Sequence, residues 1–296
     1  MPYQHDHPPG YAEATAPAAI STPTPPGTNL TPTSSRSSAI SSISTSTMTT
    51  STTANTPFLP RNPTKGRDTC FAMIVISPAD KLRLLRFPEP MTALASEIIS
   101  THWPKGIQRV QNYDESLEFK LKGNPFGYAQ DEEKVAIRIT LMGILNAFAK
   151  EGWAVFPAGR VVRLGDYRDY GIGDSLIFQY TEPRSYSWMC ISFDSDDLVH
   201  LINAPTELAE AIISFFGERV SKCNKDLVSG NFEIKFQGTP WKKTGEKGGI
   251  QCRILVLELM QCLEEQGYAM VTSLDIDGGN GGSCYRSRGE MWFCCR

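Results

Sequence analysis

LEFKLKGNPFGYAQDEEKVAIRITLMGILNAFAKEGWAVF, residues 117–156, returns 115 positions later as FEIKFQGTPWKKTGEKGGIQCRILVLELMQCLEEQGYAMV, residues 232–271, with no gap between the two alignments. Few residues are identical. What recurs is an order of unlike features: an alternating strand, Gly-x-Pro-aromatic, a long helix, a glycine stop, an aromatic and a further strand. Phe119 answers to Ile234, Gly123 to Gly238, Pro125 to Pro240 and Phe126 to Trp241. Along the helix, Ile139, Met142, Leu145 and Phe148 answer to Ile254, Leu257, Met260 and Leu263, a seam within an apolar face at helical spacing. Gly152 and Gly267 then stop both helices, where a left-handed cap meets no Cβ penalty.

The likeness extends outward. FAMIVIS (71–77) and WMCISFD (188–194) read as short apolar strands. Each is followed by a stretch that reads as helix, with Asp80 as a cap and Pro88 and Pro90 as interruptions in the first copy; Leu82 aligns with Leu198 and Pro88 with Pro205. At the far end, DSLIFQY (174–180) and EMWFCC (290–295) read as last strands, with Phe178 opposite Phe293. Each unit therefore reads strand, helix, strand, helix, strand, strand: an α+β layer with helices on one face of a mostly antiparallel sheet. The fold class is α+β in two tandem pseudo-repeats, residues 68–184 and 185–296. Only TEPRSYS separates the last strand of one from the first of the next, so the expectation is a shared or edge-to-edge sheet and a pseudo-two-fold body.

Residues 1–67 are of a different kind. Ser, Thr, Pro and Ala dominate, and large aliphatic side chains that would offset ordering entropy are almost absent, so the segment reads as a disordered tail. Within it Pro8, Pro9, Gly10 and Tyr11 form a Pro-Pro-x-Tyr peptide, the ligand pattern of WW domains: prolines pre-order polyproline II and the tyrosine fills an aromatic pocket. Thr22, Thr24, Thr31 and Thr56 each precede proline and are candidates for proline-directed phosphorylation.

Composition narrows the function classes. The formal charge is −3 overall; the tail holds two acidic and four basic residues, so the body is more acidic than the whole and is expected to repel nucleic acid. No run approaches the roughly 20 apolar residues that span a bilayer, and the first residues lack a basic and apolar leader pattern, which points to the cytoplasm or the nucleus. The eight cysteines form no Cys-x-x-Cys pair and several sit among apolar neighbours, so free buried thiols are expected, with no metal and no cofactor.

Catalytic patterns are missing as well. There is no Gly-x-Ser-x-Gly elbow, His-Glu-x-x-His or Rossmann glycine run, and the body histidines, His102 and His200, are not at equivalent places. The leading reading is a non-enzymatic interaction or adaptor protein: a duplicated body for a protein partner and a tail that recruits a WW-domain protein. A second reading uses the loop before the second long helix. There Lys242, Lys243, Lys247 and Gly248 are candidates to hold a phosphate or an anionic membrane surface through ammonium charge and helix-terminal N–H groups, although the spacing is not that of a P-loop. A third, an enzyme with a site between the copies, would be marked by a cleft on which Arg138 and Arg253 converge; otherwise these arginines are expected to pair with carboxylates such as Asp174 and Asp275. The aromatics Phe126, Trp153, Trp188, Trp241, Tyr268 and Trp292 are read as core or inter-copy packing.

Overall fold

A computed structural model describes residues 71–77, 79–162, 174–225, 231–276 and 285–296. The whole tail, with Pro8 to Tyr11 and the Thr-Pro sites, lies outside the described residues. The first copy runs β1 (Phe71–Ser77), β2 (Lys81–Leu85), α1 (Glu89–His102), β3 (Ile107–Tyr113), β4 (Ser116–Leu121), α2 (Asp131–Lys150), β5 (Trp153–Val162) and β6 (Asp174–Tyr180). The second repeats the series as β7 (Trp188–Asp194), β8 (Leu198–Ile202), α3 (Thr206–Phe216), β9 (Val220–Lys225), β10 (Phe232–Phe236), α4 (Gly245–Glu265), β11 (Ala269–Leu274) and β12 (Ser287–Cys295). Each copy forms its own six-stranded sheet, ordered β3-β4-β2-β1-β6-β5 and β9-β10-β8-β7-β12-β11, and every pairing is antiparallel. The fold is α+β, with the same topology twice.

Each copy has two more strands than the sequence reading assigned. KLRLL and LVHLI are not the opening of a helix but strands β2 and β8, because Leu82 and Leu84 alternate with polar residues and bury on one face. Asp80 belongs to the hairpin turn, where the neighbouring Ala79 has φ of 75°. Pro88 and Pro90 do not interrupt α1; they begin it, as the N-cap and the second helical residue, where a missing N–H costs no hydrogen bond. Strands β3 and β9 bury no side chain fully and offer no apolar alternation to read.

The registers also refine the alignment. Ile76 pairs with Leu82 as Phe193 pairs with Val199, so Leu82 corresponds to Val199 and not to Leu198. Ala72 lies opposite Phe178 as Met189 lies opposite Cys294, so Phe178 corresponds to Cys294, one residue beyond the expected Phe293. One residue in a strand is a change of face. Phe178 packs on its own helix layer, against Phe87 and Phe148, whereas Phe293 points to the other copy.

The two sheets are not continuous, and the copies do not meet across a two-fold. They stack in the same sense: sheet 1, then α1 and α2, then sheet 2, then α3 and α4. Along β7, Met189, Ile191 and Phe193 pack on α3 and α4 in one apolar cluster, while Trp188 and Cys190 join the first copy's core. All seven residues of β7 are buried, as expected of a strand covered on both faces. The linker makes this geometry possible. Arg184 N–H donates to the Ala149 carbonyl at the end of α2, and Ser187 then exchanges two backbone hydrogen bonds with Arg296 in sheet 2. TEPRSYS has no helix or strand along this path, and seven residues can reach at most roughly 23 Å, enough to climb past a helix layer.

Candidate functional site

Three places in the body gather chemistry: the junction where α2 lies on sheet 2, the outer face of sheet 1, and the outer face of α4.

The junction is built by one stripe of α2. Asp131, Lys134 and Arg138 recur at helical spacing and point at sheet 2, and Met142 and Leu145 continue the stripe. The Arg138 guanidinium lies 3.6 Å from Asp194 Oδ1 and stands over the Tyr285 ring at 5.2 Å. Asp194 Oδ2 is 2.8 Å from His200 Nδ1, and His200 Nε2 is 3.5 Å from Glu233. The His200 ring stacks on Tyr285 at 4.0 Å. Lys134 donates to the Tyr285 carbonyl at 2.9 Å, and the Tyr285 N–H donates to Asp131 at 3.1 Å. Nearby, the Asp275 N–H donates to Asp174 at 2.7 Å, which ties the copies together a second time.

An Asp-His pair beside Ser192 suggests half of a hydrolase triad, yet the geometry does not serve one. Asp194, His200 and Ser192 are fully enclosed, and the second imidazole nitrogen faces a carboxylate and not a hydroxyl. The thiol of Cys190, in the same layer, is pushed up to about 12 by burial, with Arg138 pulling the other way, so it stays protonated. Burial likewise raises Cys295 to about 12 and Cys262 to about 11. Cys190 and Cys295 lie in the layer that joins the copies, while Cys262 lies in the second copy's own core.

The arginines singled out by sequence do not converge. Arg138 is inside the junction, while Arg253, its counterpart, is on the open side of α4 and donates to the Gly249 carbonyl. Asp194, the partner of Arg138, lies 56 positions away in the other copy, so no local sequence pattern joins the two. Of the loop candidates, Lys242 lies 3.2 Å from Asp196, Lys243 donates to Gln251 at 3.0 Å, Lys247 is exposed, and Gly248 is in the first turns of α4. The loop lysines thus stand apart from the junction. Phe126, Trp153, Tyr268 and Trp292 are buried within the core clusters, Trp188 lies between the copies, and Trp241 donates to the Leu198 carbonyl. Among the described residues no His, Cys, Asp and Glu cluster has metal-holding geometry, and no helix is long and apolar enough to cross a membrane.

The open faces are what sequence reasoning missed. On α2, Val135, Met142 and Leu145 are 6%, 4% and 3% exposed; on α4 their counterparts Ile250, Leu257 and Met260 are 54%, 64% and 38% exposed, with Ile254 beside them. The inner face of α4, with Leu259, Cys262 and Leu263, is already buried. A signal existed in the sequence, since a helix apolar over so wide an arc has more than one face to cover. At the opposite end of the stack, the outer face of sheet 1 holds an open depression of about 470 Å³ lined by Phe71, Met73, Leu85, Phe156 and Ile177, with Arg86 and Glu115. Its wall includes the edge-to-face pair Phe71 and Phe156.

The family comparison agrees with a duplicated domain. One domain-family model matches the chain twice, over residues 70–179 and 187–295. No curated protein matches it. Among solved structures, a conserved kinetoplastid-specific protein from Trypanosoma cruzi is similar at 15% identity and a TM-score of 0.26, covering 38% of this chain and 99% of its own.

Proposed function

This chain belongs to the domain family that it matches twice, and from that premise we propose that it is a non-enzymatic interaction protein. Its body binds a protein partner through the open face of α4, and its Ser/Thr/Pro-rich segment recruits a WW-domain protein through Pro8, Pro9, Gly10 and Tyr11. One observation carries the reading: the helix face that is covered in the first copy is bare in the second, and still apolar. Isolated exposed apolar residues are ordinary, but a contiguous row of Ile250, Ile254, Leu257 and Met260 on one helix marks a contact surface. The enclosed junction supports the same reading, because its titratable groups are used to join the copies.

The test is a photo-reactive side chain placed at Leu257 and, as a control, at the exposed Glu218 of the turn after α3. With the purified chain alone or with extract of the cells that make it, illumination is expected to give discrete protein adducts from position 257 only. Equal labelling at both positions, or none at 257 in either mixture, would overturn the proposal.

A further inference from the structure

We infer that the occupant of the α4 face is a second copy of this chain, whose sheet 1 seats its outer face there, so that the molecules stack head to tail. The inference rests on the interaction reading above and names its partner. The internal junction is the template. There, a family helix layer is covered by the face of a family sheet that looks away from that sheet's own helices. The stack of sheet, helices, sheet, helices ends in one surface of each kind, and among the described residues no element packs on either.

The residues correspond position by position. On the helix side, Ile250, Arg253, Leu257 and Met260 of α4 stand where Val135, Arg138, Met142 and Leu145 stand on α2. On the sheet side, Phe71, Met73 and Val75 of β1 stand where Trp188, Cys190 and Ser192 stand on β7. The outward positions of β1 are more apolar than those of β7 at the third place, and they adjoin the depression lined by Leu85, Phe156 and Ile177. The β1 strip and the α4 face are apolar, and each matches the kind that covers the other inside the chain; beside the strip, Arg83 stands where His200 does and is paired at 2.7 Å with Glu118, which stands where Glu233 does.

The charges do not match to the same degree. Ser77 stands where Asp194 does, so Arg253 would have no equivalent of the internal ion pair, and Gly249 replaces Lys134. The contact between molecules is therefore weaker than the internal one and depends on concentration. Because its two sides are unlike, it does not close in a dimer; each added copy brings a fresh α4 face.

The experiment is sedimentation of the full chain from about 5 to about 500 µM, spanning dissociation constants usual for modest interfaces. The wild type is expected to rise past twice the mass of one chain as concentration rises. Phe71→Asp blocks the sheet face and Leu257→Asp the helix face; each alone is expected to stay monomeric. Mixed one to one, the two variants are expected to form a dimer and stop there, because one open face remains on each. Both positions are exposed, and melting curves equal to wild type verify the fold; Met73→Lys and Ile254→Lys replace them if either variant melts early. A wild type that stays monomeric throughout, a blocked variant that still self-associates, or a mixture that stays monomeric would overturn the inference. A monomeric wild type whose position 257 still forms adducts with another cellular protein would overturn the stacking and leave the interaction reading standing.

Discussion

Asp194 is charge-paired on both sides of the junction, 3.6 Å from Arg138 of the first copy and 2.8 Å from His200 of its own sheet, with no exposed surface on any of the three. Removing one member of such a group leaves the others enclosed without their counter-charge, which typically costs 3–5 kcal/mol. Asp194→Ala is accordingly expected to lower unfolding free energy by about 3 kcal/mol or more in urea titration, whereas Asp197→Ala, a half-buried pair to Lys235, costs under about 1 kcal/mol. A drop of equal size for both would show that the junction is not where the stability lies. The buried thiols set a second residue-scale expectation. Cys190, Cys262 and Cys295 have folded-state pKa values raised to about 12, 11 and 12 from an ordinary 9.0. The unfolded chain therefore releases these protons first. Stability from this source is complete below pH 9 and falls as pH rises from 9 toward 11 to 12, by up to roughly 1.4 kcal/mol per pH unit for the fully enclosed Cys190 and by less for the other two, where solvent screens the shift. Unfolding free energy measured at pH 8 and pH 10.5 is expected to differ in that sense, and Cys190→Ala to reduce the difference; an unchanged slope in the variant would count against the assignment. None of this was visible in sequence. Buried thiols could be guessed from apolar neighbours, but an ion pair across 56 residues depends on which face of one copy meets which face of the other.

The two long helices have the same length to within one residue and the same apolar seam, yet only one is covered on both sides. A substitution at one seam position thus has opposite consequences in the two copies. Met142→Asp places a carboxylate in the packed layer between helix and sheet and is expected to cost more than about 4 kcal/mol or to abolish folding. Leu257→Asp, at the equivalent place on α4, puts its charge in water and is expected to shift stability by no more than about 0.5 kcal/mol. Thermal melts of both variants decide this, and comparable losses would mean that α4 is covered after all. The order of elements was legible because one offset ran unbroken through strand, helix and strand. The second strand of each opening hairpin was not, since KLRLL is only five residues long and abuts a genuine helix. Gly152 and Gly267, both with positive φ, were read correctly as helix stops because a glycine there has a conformational reason that needs no tertiary partner. The faces of α4 could not be told apart by pattern alone, because a seam made for a neighbouring sheet and a seam made for its own sheet are written in the same residues.

At the scale of the whole molecule, body and tail are expected to act independently. If Pro8 to Tyr11 is a working ligand, a peptide of the first twenty or so residues binds a WW domain near micromolar affinity, roughly −8 kcal/mol. Tyr11→Ala is then expected to remove most of that binding and to leave the melting temperature of the full chain unchanged. Equal binding by both peptides in calorimetric titration would make the motif an accident of composition. The body itself holds one further consequence. Sheet 2 is covered on one face by a helix layer that comes earlier in the chain, and α2 is covered by strands that come later. During synthesis, α2 must therefore wait with its stripe bare until β12 has been made, some 145 residues on, which at ribosomal rates is on the order of ten seconds. A nascent chain held on the ribosome with residues 1–184 clear of the exit tunnel would present a first copy whose own sheet is complete and whose helix face is bare. Such a nascent chain is expected to bind chaperones and to release them once the last strand emerges, so that completion of the second copy is also the quality check on the first.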